Sequence, residues 1–236
     1  NTVDYTDRHS SSNVRVNLSD TSKSHNSGTV TATMTGATSG MTDTLVNIQN
    51  VNTGGGDDTI WGNNENNIIN SGAGNDVIYG IGGTNTIYAG SAADTIYGGT
   101  GVDSIFGEEG NDYIFASAGS DIIDGGANSD LVDYSSSSTG INLTLLDSGA
   151  TVNVSHNIGG VASDSLTNIE GIKGSTTASN TLIGNNMNNT LIGGNQTDTI
   201  KGVSGNNSLS GGAGDDTIFA GTGSDIIDGG AGNDWL

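Results

Sequence analysis

The chain has 236 residues, 40 of them Gly and none Pro or Cys, and its 26 acidic residues face only 5 basic ones for a formal charge of -21. Like-charge repulsion argues against a bare nucleic-acid or anionic-membrane partner, the lack of Cys excludes disulfides and thiolate metal sites, and no apolar run reaches the 18 residues of a membrane-spanning helix. With 32% hydrophobic and 5% aromatic residues, ordinary core material is scarce, so composition predicts either disorder or a fold that depends on a counter-ion, and the expected partner is a cation.

Residues 1–52 open with Asp4-Tyr5 and the alternating Val14, Val16 and Leu18, and end on Leu45-Val46-Asn47-Ile48. This pattern predicts a β-rich capping or linking segment, with loose Ser/Thr/Asn-rich loops at 20 to 40. From Thr53 the chain divides into nines: TGGGDDTIW, GNNENNIIN, SGAGNDVIY, GIGGTNTIY, AGSAADTIY, GGTGVDSIF, GEEGNDYIF, ASAGSDIID and GGANSDLVD, a first array over 53–133. Ile60, Ile69, Ile78, Ile87, Ile96, Ile105, Ile114, Ile123 and Val132 recur every nine residues, too sparse for a helical stripe and suited to one inward residue per short strand. Glycine in the turns allows each strand to give way to the next, so two nonapeptides make one 18-residue coil with two parallel sheets.

Residues 134–174 form a β-rich bridging segment that repeats the opening: Asp133-Tyr134, then Ile141, Leu143 and Leu145, then Leu166-Thr167-Asn168-Ile169. A second array over 175–236 reads STTASNTLI, GNNMNNTLI, GGNQTDTIK, GVSGNNSLS, GGAGDDTIF, AGTGSDIID and GGAGNDWL. The chain is thus two tandem copies of one larger unit. Asn67 and Asn189 are 122 apart, whereas Asp121 and Asp225 are 104 apart, so the second copy lacks 18 residues, one whole coil.

Parity sorts the sixth position of each nonapeptide. Odd units of the first array carry Asp58, Asp76, Asp94, Asp112 and Asp130; even units carry Asn67, Asn85, Asp103 and Asp121. The second array has Asn180, Asp198, Asp216 and Asp234 in one set and Asn189, Asn207 and Asp225 in the other. Stacked carboxylates roughly 5 Å apart repel unless a cation lies between them, and calcium takes six to eight oxygens of the kind that carbonyl-lined turns offer.

These nonapeptides follow GGxGxDxUx, with U a large apolar residue, and the chain resembles the RTX, or hemolysin-type, calcium-binding repeat family. Sixteen units in phase cover about 60% of the chain. The resemblance implies an all-β fold, a right-handed parallel β-roll in which calcium sits between turns of successive coils. It also implies the ligands: carbonyls two and four and the Asp of one turn, with carbonyls one and three and the Asp of the next. Carried over, Gly54, Gly56 and Asp58 face Ser71, Ala73 and Asp76; Gly72, Gly74 and Asp76 face Ala89, Ser91 and Asp94; Gly90, Ala92 and Asp94 face Gly107, Glu109 and Asp112; Glu108, Gly110 and Asp112 face Gly125, Ala127 and Asp130. On the other edge Gly99, Gly101 and Asp103 face Ala116, Ala118 and Asp121. In the second array Gly194, Gln196 and Asp198 face Gly211, Ala213 and Asp216, while Gly212, Gly214 and Asp216 face Gly229, Ala231 and Asp234. That gives about seven two-carboxylate sites and about three weaker mixed ones, Asp225 behind Asn207 among them, for up to about ten ions. Seven divalent ions would bring the charge to about -7. Gln196, Ala92 and Asn128 depart from the pattern.

The pairs Asn67/Asn85 and Asn189/Asn207 are expected to hold no ion and to bond amide to amide from coil to coil. The competing reading makes Asp and Asn mere turn formers; against it, 19 of the 26 acids lie in the arrays beside a single basic residue, Lys201. Trp61, Tyr79, Tyr97 and Phe115 form an outward aromatic stripe, read either as stacking between coils or as a contact face for a glycan or a neighbouring subunit. His9, His25 and His156 lack partners at ligand spacing and are read as solvated loop residues. No HExxH, GxSxG or Walker pattern occurs, and no enzymatic activity is expected. Asn1-Thr2-Val3 and Asp234-Trp235-Leu236 both match Asp130-Leu131-Val132, so further coils are expected to flank this piece, in a longer chain or a head-to-tail neighbour.

The resemblance implies an extracellular or cell-surface protein, exported unfolded by a type I system and folded on external calcium. Three roles follow: a structural segment of an adhesin, surface layer or fibre; a non-catalytic module of a secreted polysaccharide-modifying enzyme, protease or lipase; or a glycan-binding module.

Overall fold

The computed structural model describes residues 1–6, 13–18, 29–35, 42–46 and 48–236. The loops expected to be loose between 20 and 40 lie outside the described residues except for 29–35, and His9 and His25 lie outside them as well. No helix forms among the described residues.

The opening segment gives β1 (Thr2–Asp4), β2 (Asn13–Asn17), β3 (Thr29–Thr35) and β4 (Thr42–Val46). The first array gives β5 (Asn50–Gly55), β6 (Thr59–Asn63), β7 (Ile68–Ala73), β8 (Val77–Ile81), β9 (Thr86–Ser91), β10 (Thr95–Tyr97), β11 (Ser104–Glu109), β12 (Tyr113–Phe115), β13 (Ile122–Asp124) and β14 (Leu131–Asp133). The bridge gives β15 (Asn142–Thr144), β16 (Thr151–Asn157), β17 (Val161–Thr167) and β18 (Gly171–Lys173). The second array gives β19 (Thr181–Ile183), β20 (Thr190–Gly194), β21 (Thr199–Lys201), β22 (Ser208–Ala213), β23 (Thr217–Phe219) and β24 (Ile226–Ala231).

The strands pair in parallel one coil apart, as a nine-residue repeat with a single inward residue demands. Ile60 lies opposite Ile78, Ile69 opposite Ile87, and Leu191 opposite Leu209. One sheet runs β1-β5-β7-β9-β11-β13-β17-β16; the facing sheet runs β24-β22-β20-β18-β14-β12-β10-β8-β6-β2-β3-β4 through both arrays; a third, β15-β19-β21-β23, takes over on the first sheet's side. The fold is a β-solenoid of the β-roll type.

The inward residues from Ile60 to Ile114, every ninth position, have no accessible surface, and Leu182, Leu191 and Ile200 extend the same file. A buried Ile contributes about 1.5–3 kcal/mol. Fixing nine backbones opposes it at about 1 kcal/mol or more per residue. The apolar file alone therefore cannot hold the roll, and the turns must supply stability.

Both non-repeat segments carry an antiparallel hairpin in the same register. Leu45 pairs with Val30 as Leu166 pairs with Val152. The two large units differ in orientation, however. Strand β5 belongs to the first sheet, whereas its counterpart β18 belongs to the second. The cause lies in the repeat count: nine nonapeptides make four and a half coils, so the second unit starts half a coil out of phase. Its acid-rich turns consequently lie on the opposite edge of the solenoid from those of the first.

Candidate metal centre

The sixth residue of each turn makes one recurring bond. The backbone N–H of Asp58 donates to Oδ1 of Asp76 at 2.7 Å, Asp76 to Asp94 at 2.7 Å, Asp94 to Asp112 at 2.8 Å and Asp112 to Asp130 at 2.8 Å. The other edge repeats it from Asn67 to Asn85, Asn85 to Asp103 and Asp103 to Asp121. In the second array it joins Asn180, Asp198, Asp216 and Asp234, and separately Asn189, Asn207 and Asp225. One oxygen of each of these acceptor side chains thus holds the preceding coil in register, whether the residue is Asp or Asn.

The second side-chain atom separates them. In Asn turns it is Nδ2, and it donates to carbonyls: Asn85 to Gly82 and Gly98, Asn180 to Ser175, Asn207 to Ser204, Asn189 to Glu170. In Asp turns it is Oδ2, and those of Asp58, Asp76, Asp94, Asp103, Asp112, Asp130, Asp198 and Asp216 are buried without a partner. An amide brings the positive end of its own dipole to the turn carbonyls; a carboxylate brings a second negative oxygen. The expected amide-to-amide ladder is thereby corrected. The Asn side chains link coils through backbone N–H to Oδ1, and Nδ2 donates to turn carbonyls and, in Asn180 and Asn207, also to Oδ1 of Asp198 at 2.9 Å and of Asp225 at 3.0 Å one coil on.

Close packing sharpens the conflict in the Asp turns. A Cβ on Gly107 would overlap both Asp112 Oδ2 and Gly125 O, and one on Gly193 would overlap Asp198 Oδ2 and Gly211 O. A carboxylate oxygen and a carbonyl oxygen of the next coil therefore share one cradle with no hydrogen between them. Burial pushes the carboxyls of Asp76, Asp103, Asp112 and Asp121 up to about 6, of Asp58 and Asp130 to about 7, and of Asp94 to about 8. Burial also raises those of Asp198 and Asp216. Such groups call for a proton or a cation. Among the described residues no three acidic or His side chains are placed to hold a metal ion between them, so a cation must draw most of its oxygens from the backbone. Two carboxylates with several carbonyls suit calcium, which prefers hard oxygen ligands in large number.

The structure brings the predicted Asp pairs onto adjacent coils. It gives some of the predicted carbonyls a second task. Position-three carbonyls of Ala73, Ser91, Ala118, Ala127 and Ala231 accept the position-four N–H of the preceding turn from Gly56, Gly74, Gly101, Gly110 and Gly214. Each keeps a second lone pair. The position-one carbonyls of Ser71 and Ala89 accept hydroxyls of Thr53 and Ser71. Position two needs Gly where coils approach closest: Gly72 has φ +101 and a Cβ there would overlap Gly54 O. At the departures from the pattern, Ala92 (φ 83) and Asn128 (φ 86) hold the left-handed backbone all the same.

The aromatic stripe stacks from coil to coil, with centroids 5.6 Å apart for Trp61 and Tyr79, 4.7 Å for Tyr79 and Tyr97, and 4.2 Å for Tyr97 and Phe115.

The reading of His156 as a solvated loop residue is corrected. It is 1% exposed on β16, and its Nε2 lies 3.1 Å from Asp164 Oδ1. The period-two run Val152, Val154, His156 turns the ring inward, and hairpin pairing brings Asp164 to it, a relation invisible at the level of ligand spacing. Burial disfavours the imidazolium, but the Asp164 carboxylate, Asp121 and the Gly119 backbone together outweigh this and the net shift is upward. Tyr134 also donates to Asp164, at 2.9 Å, and the N–H of Asp121 donates to Asp164 Oδ1 at 2.9 Å. Asp164 thus ends one ladder. Glu170 ends the other, accepting the N–H of Asp130 at 3.1 Å. Sequence reasoning missed both, since neither lies in a nonapeptide.

A parallel two-sheet solenoid with a buried, partly unpartnered carboxylate at the sixth place of its turns defines a metal-binding β-roll. The family model described as RTX calcium-binding nonapeptide repeat (4 copies) matches residues 49–78, 79–114, 97–132, 175–209 and 201–236. These segments cover more than half of the chain, which belongs to that family. No curated protein matches. Among solved structures, the crystal structure of the extracellular lipase LipA from Serratia marcescens is similar at 18% identity and a TM-score of 0.34, over 69% of this chain and 37% of that one. The chain spans well under half of that lipase's length.

Proposed function

We propose that the chain is a calcium-folded structural segment of a larger secreted protein, such as an adhesin, surface layer or extracellular fibre, and that it has no catalytic role itself. The observation that supports this reading is the contrast between Asp and Asn turns: eight buried Oδ2 atoms without a partner, against Nδ2 atoms that bond the same turns shut. Seven ions bridge the pairs Asp58/Asp76, Asp76/Asp94, Asp94/Asp112, Asp112/Asp130, Asp103/Asp121, Asp198/Asp216 and Asp216/Asp234. The mixed Asp and Asn pairs hold none, because Asn85, Asn180 and Asn207 already donate to the carbonyls concerned. Binding energy then becomes folding energy, so the chain stays unfolded where calcium is scarce and folds outside the cell, where it is millimolar.

The structural role draws on the sheet that runs unbroken through both arrays. Ten of its strands, from β2 to β24, stack in parallel, a rod of roughly 45 Å at about 4.8 Å per coil. Single-molecule pulling from the two ends tests it. A loaded chain should resist force and a chelated one should extend freely. Equal, negligible resistance in both states would remove the structural reading in favour of an accessory module beside a catalytic domain.

A further inference from the structure

The acid row of the first array does not stop with its last nonapeptide. We propose that Asp130 and Glu170 hold a further calcium ion at the seam between the first array and the bridging segment, outside the repeat pattern; the proposal rests on the calcium reading of the turns.

Backbone geometry treats Glu170 as the next member of the row. Asp130 N–H donates to Glu170 Oε2 at 3.1 Å, as Asp112 N–H donates to Asp130 Oδ1 at 2.8 Å. The N–H of Gly171 donates to Asp130 O at 2.7 Å, as that of Leu131 donates to Asp112 O at 2.9 Å. A Cβ on Gly125 would overlap Asn168 O and Asp130 Oδ2, just as one on Gly107 overlaps Gly125 O and Asp112 Oδ2. Asn168, at φ 52, thus supplies the carbonyl that a turn's first residue supplies elsewhere. Three residues, Asn168-Ile169-Glu170, deliver what a six-residue turn delivers in the arrays.

An independent observation points to a ligand. Asp130 is 1% exposed, and its Oδ2, aimed into this cradle, is unpartnered. The seven Asp pairs account for the unpartnered Oδ2 of Asp58, Asp76, Asp94, Asp103, Asp112, Asp198 and Asp216, and Asp130 is the eighth. Two carboxylates and the Asn168 carbonyl, with the carbonyls of Gly126 and Asn128 at positions two and four, leave the remaining places of a six- to eight-oxygen shell to water.

The opposite edge shows what a closed end looks like. Asp121 meets Asp164 through the same ladder bond, but Ser117 Oγ donates to Asp121 Oδ2 at 2.8 Å, and Tyr134 and His156 occupy Asp164. No such donors meet at Asp130. The first large unit supplies a neutral counterpart: Gln49 stands where Glu170 does, and its N–H donates to Asn1 O at 3.0 Å as that of Glu170 donates to Asp130 O at 3.2 Å. Asn85 Oδ1 accepts the N–H of Asn67 at 2.9 Å, so a neutral amide oxygen suffices for the ladder and the charge on Glu170 is not needed for it.

The test is Glu170→Gln in the full chain, which keeps the acceptor and removes the charge. Elemental analysis at saturating calcium should count eight ions in the parent and seven in the variant, both folded. Crystals of both should show anomalous calcium density at every Asp pair, and at Asp130/Glu170 in the parent alone. Ions at the seven pairs with none at the seam of the parent, or a seam ion unchanged in the variant, overturns the proposal and leaves the reading of the turns standing. No ion at any turn overturns both.

Discussion

Stripped of calcium, the roll should become an acid-stabilised fold. Burial holds seven carboxyls of the first array at about 6 to 8, against 3.8 in the unfolded chain. Folded values above the unfolded one mean that stability is fully present below pH 3.8 and is lost as the pH rises through the folded values. Between pH 5 and 7.5 each group removes about 1 to 3 kcal/mol, the larger figure belonging to Asp94. Domain stabilities are about 5–15 kcal/mol, so the seven together suffice to unfold the chain at neutral pH. Far-UV circular dichroism of the chelated chain should therefore show β signal growing from pH 7.5 to pH 5, above the pI of 4.1 where precipitation interferes. An osmolyte such as trimethylamine oxide brings the transition into range. A signal that stays flat across this window would refute the claim that buried carboxylates are what the ion-free fold cannot tolerate.

Asp94→Asn should copy the Asn85 turn, bond itself shut and remove two ions from the count, one on each side, while the chelated protein becomes easier to fold; an unchanged metal count would contradict the site map. Gly107→Ala places a methyl in the cradle of Asp112 Oδ2 and Gly125 O, so crystals should lose the ion between Asp112 and Asp130, and density retained there would be inconsistent with that placement. Ile96→Ala, at a position with no accessible surface, should cost about 2–5 kcal/mol and raise the calcium concentration needed for folding. A midpoint equal to the parent's would show that the apolar file is not coupled to the turns.

Much of the fold was legible because the repeat is strict. A single aliphatic every nine residues fixes the inward file from Ile60 to Val132, and parity alone separates the Asp58 row from the Asn67 row. The half-coil offset of the second copy follows from the odd number of units, but it came to light only with β5 and β18 in different sheets. What stayed hidden depends on the non-repeat segments. Glu170 joins the Asp row through a three-residue shortcut with no sequence signature. His156 and Asp164 meet only because a hairpin pairs β16 with β17. The fate of the Asn side chains was likewise closed to sequence reasoning, since coil-to-coil bonding is satisfied equally by backbone or side-chain donors and only the turn geometry selects between them.

The most direct test of the account is a calcium titration of the chelated chain at neutral pH, followed by far-UV circular dichroism with metal content measured on the same sample. The account predicts cooperative appearance of β structure with about seven or eight ions bound per chain. A chain fully folded without calcium at neutral pH would show that the Asp turns are held together by hydrogen bonds alone and would contradict it.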